Sequence, residues 1–470
     1  VAEPKDPAQV VRERVLRSND YRVLSRMRAL GFWPSTEGIP PIPPDEAKER
    51  AELESTKAQL TAEAFHTPES LKKALDAERA RRVAESCARR KEQAAARAAI
   101  AAERRLAWNN ERAARIVFVG VGHSARLEHT QSDEGALLAK GLPVLHTGAD
   151  VARLLDVSLP RLRFLTTHRR SAQVVHYHRF VIPKKTGGLR AISAPKPSLK
   201  AAQQAIFARV LTPAAEGRLH EACHGFVRGR GVASNAAPHV GRAVVVNLDL
   251  RDFFPSVTFV RVRGLFARLG YSGAVSTLLA LLCTEAPRVE VAVDGHTRQV
   301  ALGDRQLPQG ACTSPILTNL LCRRLDARLA GMARALGFAY TRYADDLTFS
   351  NDTGADVRAL LFRARAILTD EGFVERDDKT RVMRKGRRQE VTGVIVNERL
   401  TIAREEVRRL RAVLHQVGRD GWAAAIRPRA DGSAPTVDEL RAEVTGRVRW
   451  VAQIDPLKAA PLLRALAAAR

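Results

Sequence analysis

The chain has 470 residues, 45% of them hydrophobic, enough for two or more domains around a large core. Its formal net charge of +26 points to a polyanionic partner rather than to solubility alone. Five scattered cysteines with no Cys-x-x-Cys pair argue against zinc sites and a secreted disulfide framework, and fit a reducing cytoplasm. No apolar run reaches the roughly 18 residues of a membrane span, and the N-terminus lacks a signal-peptide pattern. The charge is unevenly placed: residues 1–150 carry 25 Lys and Arg against 22 Asp and Glu, whereas 151–470 carry 52 against 29.

Residues 1–33 read as a helical segment, followed by a Pro-rich break from Pro34 to Pro44. From about Glu46 to Ile116 the composition is rich in Ala, Glu, Arg and Lys, which favours long helices. Ala74 to Arg115 has Ala-rich faces beside mixed charges and is expected to pack as a helical hairpin or coil; the competing reading is a disordered basic arm. Ile116 to Gly122 reads as a short strand or extended connector, and its Gly120-x-Gly122 is too little for a nucleotide loop. Residues 131–141 are expected to be a linker. They would close an N-terminal extension, 1–141, in which no catalytic constellation is visible.

After Leu142 the patterns predict helices over Gly148–Leu155, Leu159–Arg169 and Lys196–Leu211. Between the last two lies Arg179-Phe-Val-Ile-Pro-Lys184-Lys185-Thr-Gly-Gly-Leu-Arg190, a basic hairpin whose plain reading is a solvated turn. Asn235-Ala-Ala-Pro-His239 reads locally as a helix cap with a polar surface His. Val244 to Val246 form a buried strand that Pro255 helps to end, so Asp249 falls near the strand's end, where a sheet opens into a cleft. Helices over Phe259–Leu269 and Ala274–Leu282, a hairpin near Arg288–Val300 and a long helix over Ser314–Ala335 follow.

Tyr343-Ala344-Asp345-Asp346 lies within Phe338–Ser350, between two runs that alternate apolar and polar residues. That pattern predicts two strands joined by a tight turn, with both Asp side chains at its tip. An ordinary exposed turn is the bland reading, since Asp is common in turns. Paired carboxylates beside apolar strands are costly unless a cation takes up their charge. If the Asp249 strand lies beside this hairpin, three carboxylates converge and suit a two-metal site. Further on, a helix over Ala355–Asp370 precedes Lys379-Thr380 and a strand at Val391. Apolar residues recur at helical spacing amid Arg from Ile402 to Gln416, predicting a basic helix that lies along a duplex or simply shows a solvated face. A loop, Arg427–Pro435, separates it from helices Thr436–Ile454 and Pro456–Arg470.

The hairpin Arg179–Arg190, Asp249, Leu307-Pro-Gln309-Gly-Ala-Cys-Thr-Ser-Pro315, Tyr343–Asp346 and Lys379-Thr380 fall in the order found in reverse transcriptases of the right-hand polymerase class. The chain resembles that family over roughly residues 142–470. Asn235 to His239 fits the Asn-Ala-x-x-His pattern of the retron-type bacterial members, and Val391-Thr392-Gly393 fits their Val-Thr-Gly element. The resemblance implies an α+β fold, with fingers over 142–240, a palm with an antiparallel sheet over 241–397 and a helical thumb over 398–470. It implies catalytic and metal-binding roles for Asp249, Asp345 and Asp346, with two Mg²⁺ ions for which Mn²⁺ can substitute. Deoxynucleotide triphosphates would be held by Lys184, Lys185, Arg190, Asp252, Phe254, Gln309 and Lys379. Phe254 would block a ribose 2′-OH; Gln309 would offer an amide to the nucleotide, or else only hold the turn between Pro308 and Gly310. Asn235, His239, Thr392 and Gly393 would serve RNA and primer binding.

The implied activity is RNA-directed DNA polymerisation. Synthesis would start from the 2′-OH of an internal guanosine in the enzyme's own structured non-coding RNA and leave a bound, branched RNA–DNA product (msDNA). Anti-phage defence through a separate effector protein is the implied role. Two alternatives stand beside it. One is a group II intron-like or diversity-generating reverse transcriptase. The other is a catalytically silent RNA-binding relative, against which the intact Asp249, Asp345 and Asp346 argue.

Overall fold

The computed structural model describes residues 19–32, 44–63, 68–183, 188–353, 356–428 and 433–469. The chain divides into two compact units, Val1–Arg105 and Leu106–Arg470. The first holds α1 (Asn19–Ala29), α2 (Pro44–Glu63) and most of α3 (Pro68–Ala114). The helical hairpin expected within 74–115 is instead part of one 47-residue helix. The physical reason is plain: no Gly or Pro interrupts the Ala-rich stretch, and same-face pairs such as Glu78–Arg82 (3.2 Å) run along it.

The expected linker also differs. Ile116, Val119, Leu127 and Leu137 are buried in the main core of the second unit, and α4 (Glu134–Leu138) forms where a connector was predicted. Asp133 caps α4, accepting from the amide of Ala136, and its own amide donates to the Gly270 carbonyl at 2.8 Å. Residues 116–122 are an extended connector rather than a strand. Gly120, at φ +125°, lies so close to His168 that a Cβ would come within 2.4 Å of its carbonyl oxygen.

The second unit continues with α5 (Gly148–Leu154), α6 (Leu159–Thr166), β1 (Ser171–Ala172), β2 (Tyr177–Pro183), β3 (Leu189–Pro195) and α7 (Pro197–Ile206). Next come α8 (Thr212–Ala215), α9 (Val232–Ala236), β4 (Val244–Asp249), α10 (Phe259–Leu269), α11 (Gly273–Cys283), β5 (Arg288–Val293) and β6 (His296–Ala301). The helix predicted over 314–335 is two, α12 (Ser314–Leu321) and α13 (Arg323–Ala335), parted where Cys322 relaxes to ψ 0°. β7 (Ala339–Tyr343), β8 (Asp346–Asn351), α14 (Val357–Asp370), β9 (Arg381–Arg384), β10 (Glu390–Val391) and β11 (Val394–Ile395) precede the helices α15 (Arg404–Ala424), α16 (Val437–Ile454) and α17 (Pro456–Ala468).

A four-stranded antiparallel sheet, ordered β7-β8-β4-β9, lies at the centre. Side chains alternate across it, so each strand is divided between two environments. Val244, Val246, Leu248, Leu347 and Phe349 enter the main core with α10 to α14. On the opposite face, Val245 joins a second core built by β10, β11 and α15 to α17. Asn247, Asp249, Asp346, Thr348 and Ser350 share that face by register. No described helix is long and apolar enough to cross a membrane.

Candidate active site

Asp249 is the last residue of β4 and Asp346 the first of β8, and the two are direct register partners. Tyr343 pairs with Asp346, leaving Ala344 and Asp345 as a two-residue loop. Ala344 takes φ +57°, a conformation that a residue with a Cβ adopts only under constraint. The amide of Leu250 donates to the Asp345 carbonyl at 3.0 Å, tying the tip to the exit of β4. Hairpin and strand thus place Asp249 in register beside Asp346 and its neighbour Asp345, although 96 residues separate Asp249 from Asp345 in the sequence.

Burial raises the pKa of Asp345, and the charge of Asp249 adds to it; Lys379 and Arg190 act in the opposite direction. Asp346 is pushed up to about 7, first by burial and then by Asp345 and Asp249. Asp249 accepts from Lys379 Nζ at 2.9 Å, and Arg376 Nε lies 3.6 Å from its other oxygen. Arg376 also donates its amide to the Asp249 carbonyl at 2.8 Å.

Hard carboxylate oxygens on half-buried Asp345 and Asp346, pushed toward protonation by desolvation and neighbouring negative charge, are donors of the kind that a hard divalent cation satisfies. Among the described residues, however, no three acidic, His or Cys side chains converge closely enough to hold an ion as they stand. The Asp249 carboxylate is instead engaged by Lys379 and Arg376.

Around this centre, Arg190 lies exposed on β3, opposite Ile182, and its charge is felt at Asp345. Lys184 and Lys185 lie outside the described residues. Phe254 is half-buried against the core, its ring 5.5 Å from that of Phe253, which is itself fully in the core. Asp252 is exposed at φ +45°. The carbonyl of Gln309 accepts from the Ser193 amide at 2.8 Å. Beside it, a Cβ on Gly310 would come within 3.0 Å of β3, so this glycine permits the close approach of the two segments.

The residues expected to touch RNA or primer divide into two pairs. Asn235 and His239 are fully buried, contrary to the surface His that the local pattern suggested, and present no side chain to solvent. His239 bridges Ser350 Oγ (2.6 Å) and Thr341 Oγ1 (2.8 Å), which lie on the strands of the carboxylate hairpin. Thr341 Oγ1 donates to the Asn235 carbonyl at 3.2 Å, and Asn235 Nδ2 lies 3.4 Å from Thr392 Oγ1. The second pair, Thr392 and Gly393, form the loop between β10 and β11, at φ +47° and +84°. Thr392 is half-buried and Gly393 exposed, whereas the Asn235 and His239 side chains are enclosed by the protein.

Sequence reasoning missed Arg376 and the wholly buried pair Arg342–Asp326. For Arg342 a signal existed: alternation in β7 puts it on the core face with Tyr340, where a charge demands a partner. Asp326 on α13 could not be chosen from its spacing alone.

The sheet with its carboxylate tip defines an RNA-directed DNA polymerase of the right-hand fold, and similarity to known proteins agrees. The profile of the family "reverse transcriptase (RNA-dependent DNA polymerase)" matches residues 182–398. The retron Mx65 reverse transcriptase of Myxococcus xanthus is 47% identical over 316 residues, 67% of this chain and 73% of the relative. The retron Mx162 reverse transcriptase of the same organism is 42% identical over 344 residues, 70% of this chain and 68% of the relative. The retron Ec86 reverse transcriptase of Escherichia coli is 32% identical, covering 59% of this chain and 80% of the relative. The chain belongs to the retron reverse transcriptases.

Proposed function

We propose that this enzyme copies its own structured non-coding RNA, starting from the 2′-OH of an internal guanosine. That hydroxyl oxygen attacks the α-phosphorus of the first deoxynucleotide and gives up its proton to solvent; a 2′-O–P bond forms as the bond from the α-phosphorus to the bridging oxygen breaks and pyrophosphate leaves, giving a branched RNA–DNA molecule that stays bound. The observation that carries the catalytic assignment is the register pairing of Asp249 with Asp346 beside the Asp345 tip. In this reading Asp249, Asp345 and Asp346 hold two Mg²⁺ ions. Bound there, the metal lowers the pKa of the attacking hydroxyl and stabilises charge on the leaving oxygens.

The chain's own residues bind, orient and select. Arg190, with Lys184 and Lys185, grips the triphosphate, where guanidinium forks and ammonium charges suit phosphate oxygens. Asp252 and Gln309 line the nucleotide, and the ring of Phe254 occupies the space a ribose 2′-OH would need. Lys379 Nζ, beside Asp249, is the donor for the departing pyrophosphate. The Thr392-Gly393 loop meets RNA near the primer, with Asn235 supporting it from behind and His239 bracing the strands of the carboxylate hairpin. We assign residues 142–240 to the fingers, 241–397 to the palm and 398–470 to the thumb, and place the enzyme in anti-phage defence with a separate effector protein.

The test uses the purified protein with its co-purifying nucleic acid. That material should be sensitive to both RNase and DNase, and should carry a 2′,5′ branch cleaved by a debranching enzyme. Replacing Asp345 and Asp346 together by Ala should abolish DNA synthesis while RNA binding survives. Undiminished synthesis would remove the catalytic assignment, and unbranched, non-specific RNA would favour a group II intron-like or diversity-generating enzyme.

A further inference from the structure

Directly behind the carboxylate tip, on the core face of β7, the guanidinium of Arg342 is completely buried. All five of its N–H groups find acceptors. Nε and Nη2 donate to the two oxygens of Asp326, each at 2.7 Å, and Nη2 also reaches Cys223 Sγ at 3.2 Å. Nη1 donates to Asn319 Oδ1 at 3.0 Å and to the Ala344 carbonyl at 3.2 Å. That carbonyl belongs to the loop itself, so one side chain links the catalytic tip to two helices, α12 through Asn319 and α13 through Asp326. Tyr340 donates its hydroxyl to Asp326 Oδ1 at 2.9 Å and completes the set.

The same residues draw a second wall against the tip. Asn319 Nδ2 donates to the Gly225 carbonyl at 2.8 Å, and Gly225 packs so tightly that a Cβ there would lie 2.5 Å from the Ala344 amide nitrogen. The Arg342 amide donates to the Ala222 carbonyl at 2.7 Å, and the His224 amide to the Arg342 carbonyl at 2.8 Å. Ala344, buried at φ +57°, is held in a conformation that it would leave if these contacts were loosened. A buried ion pair is weak support for stability, because the desolvation of both charges offsets their attraction. Such a pair is better suited to fixing one geometry among several.

We propose that Arg342 is a positioning residue for catalysis. Through Asp326, Asn319 and the Ala344 carbonyl it sets the loop conformation that aims Asp345 and Asp346. This rests on the reading of those two carboxylates as catalytic, and it adds a role for residues that touch neither substrate nor ion. Arg342 acts on turnover and leaves the grip on the nucleotide alone, since Arg190 and Gln309 lie on other segments.

Arg342→Lys keeps a positive charge beside Asp326 but offers three donors on a point charge, too few for all five acceptors. It should retain a cooperative melt while kcat for primer extension falls by about ten- to a hundredfold, as expected for a small misplacement of reacting groups. KM for deoxynucleotide should stay within about twofold of wild type. Should Arg342→Lys fail to melt cooperatively, the combination Arg342→Met, Asp326→Leu and Tyr340→Phe carries the same test, because it removes both charges and the dependent hydroxyl together. Stability should then recover relative to Arg342→Met alone while kcat stays low. Adding Ala344→Gly to Arg342→Lys should restore part of the lost kcat, since glycine accepts the positive φ without an external hold. Wild-type kcat in a folded Arg342 variant, or a fall matched by an equal rise in KM, overturns the proposal. Asp345→Asn and Asp346→Asn run in parallel: synthesis surviving in those would overturn the underlying reading instead.

Discussion

His239 has both ring nitrogens committed, Nδ1 to Ser350 and Nε2 to Thr341, and no exposed surface. Burial, reinforced by the charges of Arg242 and His224, lowers its pKa to about 3. The unfolded chain therefore takes up a proton below about pH 6.5 that the native protein refuses. Stability is fully present above that value and falls as the pH drops toward 3, by at most about 1.4 kcal/mol per pH unit. His168 and His224, each lowered to about 4 chiefly by burial, push the same way. Urea unfolding near pH 7.5 and near pH 5 should show a marked loss at the lower pH, and a shallower one in His239→Gln. Equal losses in the two proteins would exclude His239 as a source. The sequence marked this His through its spacing from Asn235 and implied an RNA or primer role, with a surface cap as the bland alternative; neither reading foresaw complete burial. A local pattern carries no information on which strands will close over a side chain.

Within elements, legibility followed periodicity and failed where long-range packing decided. β4 and the β7–β8 hairpin could be read because alternation and a two-residue loop are local properties. Residues 131–141 could not, because α4 depends on Gly270 and on a core assembled from distant segments. The β10–β11 loop lies between these cases. Val391-Thr392-Gly393 was visible as a motif, yet a β-branched residue at φ +47° is an outlier that only a support from outside the loop would keep. Asn235 supplies that support from α9, although its Oδ1 finds no partner of its own. Asn235→Ala should therefore loosen the loop by about 1 kcal/mol, the worth of one such bond. Native-state hydrogen exchange over residues 390–395 should speed up by about fivefold while the β4–β8 ladder keeps its protection. Unchanged exchange in the loop would mean that Thr392 is held by the second core alone.

For the whole molecule, the division of charge separates two kinds of helical surface. The long α3 interleaves acids with its bases, whereas α15 buries Val407, Leu410, Leu414 and Val417 and exposes Arg408, Arg411 and His415 on its outer side. Residues 151–470 hold 52 Lys and Arg against 29 acids, so counterion release should dominate RNA affinity there. The observed association constant should fall steeply and linearly with salt on logarithmic axes. If α15 follows a nucleic-acid backbone, replacing Arg408 and Arg411 by Gln removes up to about two phosphate contacts and lowers that slope by roughly the same number. The effect should be similar for unrelated RNA sequences, because phosphate contacts carry no sequence information. Exposed Arg residues that face only solvent would leave the slope untouched. Equilibrium binding across a salt series, with wild type and the double variant measured on the same RNA, decides whether α15 is a nucleic-acid surface or an ordinary solvated helix.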